Sequence, residues 1–173
     1  NNCIDSLLNS LDKNIDYTFI ISNGGNNFKD DYSKTYLKLL DSFINSENII
    51  NLLIVKNNLG YIYHQSNFIL YISNKIDFDY GFILNDDILL NKDWDNKYFE
   101  ASQKTNIKHM CCNLNTKDTQ DLVYENYNFK TNGNVLKSNG ILLTFTPEII
   151  KKVGYFDEES FKVRGQSHLD FSL

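Results

Sequence analysis

Residues 80–87 read YGFILNDD, an apolar run rich in β-forming residues that ends in one amide and two carboxylates. The run predicts a buried strand over Tyr80–Leu84, and a buried strand does not tolerate adjacent charges. Asn85, Asp86 and Asp87 must therefore lie at the strand exit, facing water or a cation. Oxygen ligands in so compact a group suit Mg²⁺ or Mn²⁺, which can bridge two phosphates. The alternative is a polar turn in which Asp86 or Asp87 caps local backbone amides.

Strand and helix patterns alternate outward from this stretch in both directions. Short β-rich runs predict further strands at Tyr17–Ser22, Ile49–Val55, Ile107–Leu114 and Gly140–Phe145. Apolar residues at helical spacing predict helices at Ile4–Leu11, Tyr36–Ile44, Ser66–Asn74 and Asp93–Thr105, and a short one from Pro147 to about Gly154. Asp93 is the expected N-cap of its helix, and Trp94 begins the buried face. The weakly patterned residues 115–136 predict a mobile loop or an acceptor-facing hairpin.

The alternation predicts an α/β fold with a mainly parallel sheet covered by helices on both faces. Sheets of this kind bind ligands at the carboxyl ends of their strands. Polar clusters follow Ser22, Val55 and Leu84, each at such an end, so we expect the clusters to form one site. The chain opens on a helix where this architecture would place a strand, so the first strand is expected outside the numbered residues.

The composition is that of an ordinary globular chain, and residues 1–173 are expected to form a single domain. Hydrophobic residues make up 42% of the 173 residues and charged residues 23%. The net charge of −5 argues against a nucleic-acid polymer as partner, because such binders carry a basic face. No apolar run is long enough to be a transmembrane segment, and no signal peptide is recognised. An acidic protein that handles a nucleotide diphosphate needs a metal ion to offset the charge.

The cysteines and histidines do not form a metal or disulfide pattern. Cys3, Cys111 and Cys112 make no disulfide framework, and the sequence contains no Asn-x-Ser/Thr acceptor, so a reduced, cytoplasmic chain is expected. Cys111 and Cys112 would point to opposite faces of a strand, which places them poorly for one zinc shared with His109. His64 and His109 match no motif and are interpreted as ordinary polar residues.

Several segments, in order, resemble the large family 2-like group of inverting glycosyltransferases, which have the GT-A (nucleotide-diphospho-sugar transferase) fold. In that family they are the helix after the first strand, the nucleotide-binding turn, an Asn-Leu-Gly-aromatic segment, an Asp-x-Asp motif in its Asn-x-Asp form, and an acceptor-side signature. Here they are Asn2–Leu8, Ile20–Gly25, Asn58–Tyr61, Phe82–Asp87, and Gly140–Leu143 with Val153–Glu158. The resemblance spans nearly the whole chain.

The resemblance implies a metal site at the exit of the 80–84 strand. Asp87 would ligate the metal, Mn²⁺ or Mg²⁺, with Asn85 beside it in place of a first carboxylate. Asp86 would face the ribose or the sugar of the donor.

The resemblance also implies a donor pocket. Ser22 and Asn23 would border the base and ribose, and Asn58 belongs to the matching segment on the next loop. The family usually has Asp where this chain has Ser22, so a hydroxyl replaces a carboxylate that bonds a pyrimidine ring nitrogen. This substitution leaves the identity of the base open, with a UDP-sugar as the first expectation.

The end of the chain departs from the family pattern. Many relatives place Glu-Asp where this chain has Ser167 and His168, with Asp170 two residues on. The Asp of the family is the general base that deprotonates the acceptor hydroxyl. The resemblance implies Asp170 as the base here and His168 as a contact to the metal or diphosphate, with His168 as the alternative base. A solvent-facing His168 is the remaining interpretation.

The predicted function is metal-dependent transfer of a sugar from a nucleotide diphosphate donor to a carbohydrate or other hydroxyl acceptor, with inversion. Two alternatives stay open. A sugar nucleotidyltransferase would show a Gly-rich, basic phosphate loop after its first strand, and none is visible. A catalytically degenerate module that binds a sugar or a partner is favoured by Ser22 and Ser167, which replace expected carboxylates.

Overall fold

The computed structural model describes residues 2–12, 14–23, 41, 50–56, 62–85, 87–111, 119–124, 127–132 and 141–160. The helices in these ranges are α1 (Asn2–Ser10), α2 (Ile62–Ser73), α3 (Trp94–Thr105) and α4 (Pro147–Val153). The strands are β1 (Tyr17–Asn23), β2 (Ile50–Lys56), β3 (Gly81–Leu84), β4 (Thr119–Tyr124), β5 (Tyr127–Asn132) and β6 (Leu142–Phe145). The predicted helix over Tyr36–Ile44 lies, Asp41 apart, outside the described residues.

Strands β1 and β2 form a parallel pair, as the alternating pattern predicted. The register runs from Tyr17 opposite Ile50 to Asn23 opposite Lys56. Parallel neighbours need a long crossover between them, and the interval between β1 and β2 is long enough to supply one. The pairing sets Ser22 beside Val55, so two of the three predicted polar clusters follow adjacent strand ends.

The other described strand pairs are antiparallel, and a mainly parallel sheet is not what they show. β3 pairs with β6, from Gly81 opposite Phe145 to Leu84 opposite Leu142. β4 and β5 pair with only two residues between them, the connection that antiparallel strands allow and parallel strands do not. Of the two alternatives predicted for 115–136, a mobile loop or an acceptor-facing hairpin, the described residues form the paired strands of a hairpin, and its orientation toward an acceptor stays a prediction. The described part of the chain is a mixed α/β fold.

Strand β3 is covered by helices on both faces, because successive side chains of a strand point to opposite sides. On one face Ile83 packs in a buried cluster with residues of α2, β6, α4 and the segment after α4: Leu70, Leu143, Phe145, Ile150 and Phe156. On the other face Phe82 meets α3, with ring centroids 4.5 Å from Trp94 and 5.9 Å from Tyr98. The prediction of a strand between two helical layers holds for β3.

The layer between β3, β6 and α3 contains several buried hydroxyls. Those of Tyr80 and Ser102 have no partner at hydrogen-bonding geometry within the described ranges. Burial raises the pKa of Tyr80, and the nearby hydroxyls of Thr144 and Ser102 partly offset this effect. Thr144 itself is bonded, since its Oγ1 accepts from the backbone N–H of Met110 at 2.7 Å.

Two local predictions hold only in part. Ile107–Leu114 was predicted as a strand, yet residues 107–110 form none and Cys111 makes an isolated bridge with Leu143, while residues 112–114 lie outside the described residues. The segment follows β6 mainly through Met110, whose carbonyl accepts from the N–H of Thr144. Asp93 occupies the N-cap position of α3 but has φ 61° and makes no side-chain capping bond. A residue that caps a helix through its side chain normally has a β-region backbone, and the left-handed backbone of Asp93 departs from it.

The predicted short helix after Pro147 is confirmed as α4. Thr146 is its N-cap, and the Thr146 side chain accepts from the N–H of Ile149. Pro147 takes the first helical position, where a missing N–H costs no hydrogen bond. The helix ends at Gly154, whose φ of 89° suits glycine. None of the helices among the described residues has the length and apolarity required to span a bilayer.

Candidate functional site

Asn85 leaves β3 with its backbone held from two sides. Its N–H donates to the carbonyl of Ile141 at 3.0 Å, one residue beyond the last β3–β6 pair. Its carbonyl accepts from the Cys3 thiol, with sulfur and oxygen 3.7 Å apart. The Asn85 side chain is half-buried, whereas Asp87 in the following turn is exposed. The backbone of Asn85 is thus fixed at the strand exit, and the carboxylate of Asp87 faces solvent, as expected for a charge next to a buried strand.

Helix α1 runs along the segment that follows β3 and binds it by a series of polar contacts. The Ser6 hydroxyl accepts from the N–H of Leu90 at 3.1 Å. The Ser10 hydroxyl accepts from the indole N–H of Trp94 at 2.9 Å, and this contact is buried. With the Cys3 contact, these bonds bracket the turn that carries Asp87. The turn is therefore held on both sides, by the contact of Cys3 before it and by those of Ser6 and Ser10 after it.

Further hydrogen bonds connect the residues that follow α1 to the start of α3. The Asn96 side-chain amide donates to Asp12 at 2.7 Å, and the Tyr17 hydroxyl donates to Asp95 at 2.5 Å. Hydrogen bonds from the Asn14 backbone and the Asn96 side chain hold the pKa of Asp12 below its usual value. Burial, together with the bond to Asp95, raises the pKa of Tyr17. The start of β1 and the start of α3 are thereby joined.

Ser22 contributes the clearest unfilled polar group near the strand ends. Its hydroxyl oxygen is buried and has no hydrogen-bond partner among the residues that the structure describes. Buried hydroxyls normally find a partner, because an unpaired one costs roughly 1–3 kcal/mol. Ser22 is the next-to-last residue of β1, at the carboxyl end of the parallel pair. A polar ligand at this edge would supply the missing partner.

The described residues offer few side chains for a metal ion. They contain no group of three or more His, Cys, Asp and Glu residues placed to share one. Asn85 and Asp87 nevertheless provide an amide oxygen and a carboxylate at the same strand exit. Mg²⁺ is commonly held by one or two carboxylates together with substrate phosphates and water. The oxygen donors present fit that mode of binding.

The other sequence-predicted site residues are not placed by the structure. Asp86, Asn58, His168 and Asp170 lie outside the described residues, and Asn23 is described only as the last residue of β1. Of the predicted site residues with described side chains, Ser22 lies near the carboxyl end of β1, and Asn85 comes directly after the carboxyl end of β3. Helix α2 contacts both of these strands. The predicted roles of the remaining residues stay predictions.

A polar cluster that the sequence did not indicate joins α2 to the segment after α4. His64 Nδ1 is hydrogen-bonded to a carboxylate oxygen of Glu158, and Asn67 donates to the other oxygen. Asn67 is itself fixed by Phe156, donating to its carbonyl at 2.9 Å and accepting from its N–H at 2.7 Å. The spacing of His64 and Asn67 on one helix face was the available signal. Glu158 lies too far along the chain for that spacing to reveal it.

His109, by contrast, is a structural residue. Its Nδ1 lies 2.6 Å from the carbonyl of Thr144, and burial lowers the pKa of its imidazole. Cys3 and Cys111 are free thiols. Cys112 lies outside the described residues, so the rejected zinc interpretation is tested only at His109 and Cys111, which form no metal group within the described ranges.

Comparison with known proteins gives one sequence relative and one structural neighbour of note. No family model matches the chain. The chain is 30% identical to an uncharacterized glycosyltransferase of Acanthamoeba polyphaga mimivirus over 149 residues, which cover 82% of this chain and 54% of that protein. It therefore spans about half the length of this curated relative.

The structural neighbour is the crystal structure of TarS 1–349 from S. aureus. The TM-score is 0.65, and the match covers 99% of this chain and 49% of that chain. The sequence identity is 12%, so this likeness concerns the fold alone. The chain is thus a mixed α/β protein whose fold matches about half of TarS 1–349 and whose sequence is similar to that of a glycosyltransferase.

Proposed function

We propose that the protein is a GT-A glycosyltransferase that transfers a sugar from a nucleotide diphosphate donor to a hydroxyl group, with inversion and with Mn²⁺ or Mg²⁺. The observation that carries the proposal is the similarity of most of the chain to a glycosyltransferase, and in the sequence β3 is followed directly by Asn85-Asp86-Asp87. The acceptor is a carbohydrate or another hydroxyl compound. The free thiols of Cys3 and Cys111 are compatible with a cytoplasmic location.

The donor is assigned to the carboxyl edge of β1 and β2. The buried, unpartnered hydroxyl of Ser22 can donate to a base carbonyl or accept from a ring N–H. Asn23 and Asn58 are proposed to border the ribose, and Asp86 to face the ribose or sugar. A UDP-sugar is the first candidate, and the Ser22 hydroxyl, which can donate or accept, is expected to discriminate among bases less sharply than a carboxylate would.

The diphosphate is assigned to the exit of β3. The main chain of Asn85 is fixed there by Ile141 and Cys3, and Asp87 in the following turn is exposed, which supports a role for their side-chain oxygens as metal ligands. A bound Mn²⁺ or Mg²⁺ would neutralise charge that develops on the leaving diphosphate. His168 is proposed as a further contact to this metal or to the diphosphate.

Acceptor activation is assigned to the end of the chain. Asp170 would take the proton of the acceptor hydroxyl as its oxygen attacks the anomeric carbon, while the bond to the diphosphate oxygen breaks on the opposite side. This in-line displacement inverts the anomeric configuration. His168 is the alternative base.

A catalytically degenerate binding module is the second candidate, because Ser22 lies where a carboxylate is expected. Such a module would still bind a nucleotide or a sugar but would not turn it over. A sugar nucleotidyltransferase has no comparable supporting observation in the described residues.

Calorimetry and single-turnover kinetics test the proposal together. We expect UDP to bind in the presence of Mn²⁺ and to bind much more weakly after chelation. Asp170→Asn should cut turnover roughly a hundredfold or more with donor binding retained. His168→Ala should weaken Mn²⁺ binding as well as turnover if His168 contacts the metal. Binding of UDP with no turnover of any UDP-sugar would favour the binding module, and failure to bind any nucleoside diphosphate would contradict the transferase.

A further inference from the structure

A cleft of about 300 Å³ lies between α2 and the segment after α4, and neither Ser22 nor Asn85 is among the residues that line it. Its walls combine aromatic rings with planar polar groups and are formed by His64, Asn67, Phe68, Tyr71, Tyr155 and Glu158. Tyr71 is 51% exposed and Tyr155 44% exposed, although aromatic rings usually bury most of their surface. The cleft is at the small end of the about 300–1,000 Å³ range of small-molecule sites.

The polar groups of the cleft are oriented before any ligand arrives. Glu158 receives hydrogen bonds on one carboxylate oxygen from His64 and on the other from Asn67. Asn67 is held in turn by two bonds to the backbone of Phe156. The His64 and Glu158 side chains remain 40% and 31% exposed, so the pair faces the cleft rather than the core.

These bonds leave defined hydrogen-bonding capacity at the surface. With Nδ1 engaged by Glu158, the other imidazole nitrogen of His64 has no partner in the described part of the chain. Each Glu158 oxygen has one bond and retains capacity for another acceptor contact. Oriented donors and acceptors of this kind lose little entropy when they bind a small polar molecule.

We propose that this cleft binds a neutral saccharide, one or two sugar rings in extent. A sugar ring has an apolar C–H face that packs on exposed aromatic rings and a rim of hydroxyls that both donate and accept hydrogen bonds. Tyr71 and Tyr155 supply the first kind of surface, and His64 with Glu158 the second. Lys75 lies over the Tyr71 ring, 5.2 Å from its centroid, and gives that ring a fixed support at the rim.

Charge favours a neutral occupant over an anionic one. The carboxylate of Glu158 would repel a phosphate or an acidic sugar, and the residues that line the cleft include no Lys or Arg to attract one, since Lys75 lies over the Tyr71 ring outside that lining. Helix α2, which carries His64 in its first turn, follows the carboxyl end of β2. Assignment of the bound saccharide as the acceptor of sugar transfer rests on the proposed function, whereas saccharide binding itself does not.

Saturation-transfer NMR of the full chain tests the proposal. The probes are methyl glycosides of glucose, galactose, mannose and N-acetylglucosamine and their β-linked disaccharides. At least one probe should receive saturation from the protein. Tyr155→Ala and Glu158→Gln should each weaken its binding about fivefold or more. The control Ile76→Ala removes an exposed apolar side chain outside the cleft and should change nothing.

The outcomes separate this proposal from the transferase proposal. Tyr155→Ala and Glu158→Gln should retain Mn²⁺-dependent UDP binding, and Asp87→Ala should retain saccharide binding. Thermal unfolding of each variant checks that the chain is folded. If no probe receives saturation, or if both cleft variants bind as the parent does, saccharide binding at this cleft is refuted, whatever the nucleotide measurements give.

Discussion

Ser22→Ala should make the ligand-free protein more stable and its donor binding weaker. The Ser22 hydroxyl is buried without a hydrogen-bond partner within the described ranges, whereas in the unfolded chain it is bonded to water. The folded state therefore carries the desolvation cost of one hydroxyl, roughly 1–3 kcal/mol. Alanine keeps the Cβ and removes the oxygen. We expect a gain of about 1 kcal/mol in the free energy of unfolding, equivalent to a rise of roughly 2–4 °C in Tm for a chain of this size.

Donor binding should respond in the opposite direction. If the nucleotide completes the hydrogen bonding of Ser22, the alanine variant forfeits one neutral hydrogen bond, worth about 0.5–1.5 kcal/mol. The UDP dissociation constant should then rise about two- to tenfold. Urea unfolding without ligand and calorimetry with UDP and Mn²⁺ measure the two effects.

Ser102→Ala is the matched control for both measurements. Ser102 is also fully buried, and its hydroxyl also lacks a partner among the described residues, but it lies on α3 beside Tyr80. It should change stability without changing UDP affinity. An unchanged UDP affinity for Ser22→Ala would remove Ser22 from the donor pocket. A loss of stability on the same substitution would refute the account of its burial.

Three further substitutions test the site, the packing and the pH response. Asp87→Ala should abolish Mn²⁺-dependent UDP binding in calorimetry with little change in Tm. The control Asp79→Ala removes an exposed carboxylate before the other end of β3 and should bind UDP normally. Equal UDP affinities of Asp87→Ala and the parent would exclude Asp87 from the metal site. Gly81→Ala should cost about 1–3 kcal/mol in urea unfolding, because the new Cβ would lie 2.3 Å from the Phe145 ring, and Phe145→Leu in the same chain should recover part of that loss. Burial lowers the pKa of His109, so as the pH falls the imidazole is protonated in the unfolded chain before it is protonated in the folded one. The contribution of His109 to the free energy of unfolding should therefore be fully present above about pH 6.5 and should fall below that pH by up to about 1.4 kcal/mol per pH unit. His109→Gln should flatten that decline in urea titrations at about pH 5 to 7.

The elements with strong local signals were predictable from the sequence. The β-rich run ending at Leu84 produced β3, and the Thr146-Pro147 pair produced the start of α4, because capping and helix initiation depend on neighbouring residues. The exposure of Asp87 also followed, since a charge next to a buried strand has to face solvent.

Pairing between distant segments was not predictable in the same way. The apolar run at 107–114 looks like a strand by itself, but its described residues, 107–111, contact β6 through the hydrogen bonds of Met110 with Thr144 and a bridge at Cys111. The antiparallel partner of β3 is likewise chosen by tertiary packing. Strand preference depends on such packing more than on the residues themselves.

The residues of the candidate site also differ in whether the sequence could predict their position. Asn85 and Ser22 were located because each closes an apolar run. The pair of His64 and Glu158 was missed because the two residues are 94 positions apart in the chain, and the acceptor-side signature that contains Glu158 does not indicate His64 as its partner. Asp93 shows the reverse case, where a residue with the right chemistry for capping adopts a left-handed backbone and cannot cap.

The contacts between α1 and the segment after β3 set an order of events during synthesis. Ser10 meets Trp94 across a separation of 84 residues, so α1 leaves the ribosome long before its partner exists. At roughly 5–20 residues per second, that interval lasts about 4–17 s. A helix as short as α1 is marginal by itself in water, so it gains its structure only when the later segment arrives. The turn that carries Asp87 and the helix that brackets it therefore form together, in a step that waits for α3 to emerge.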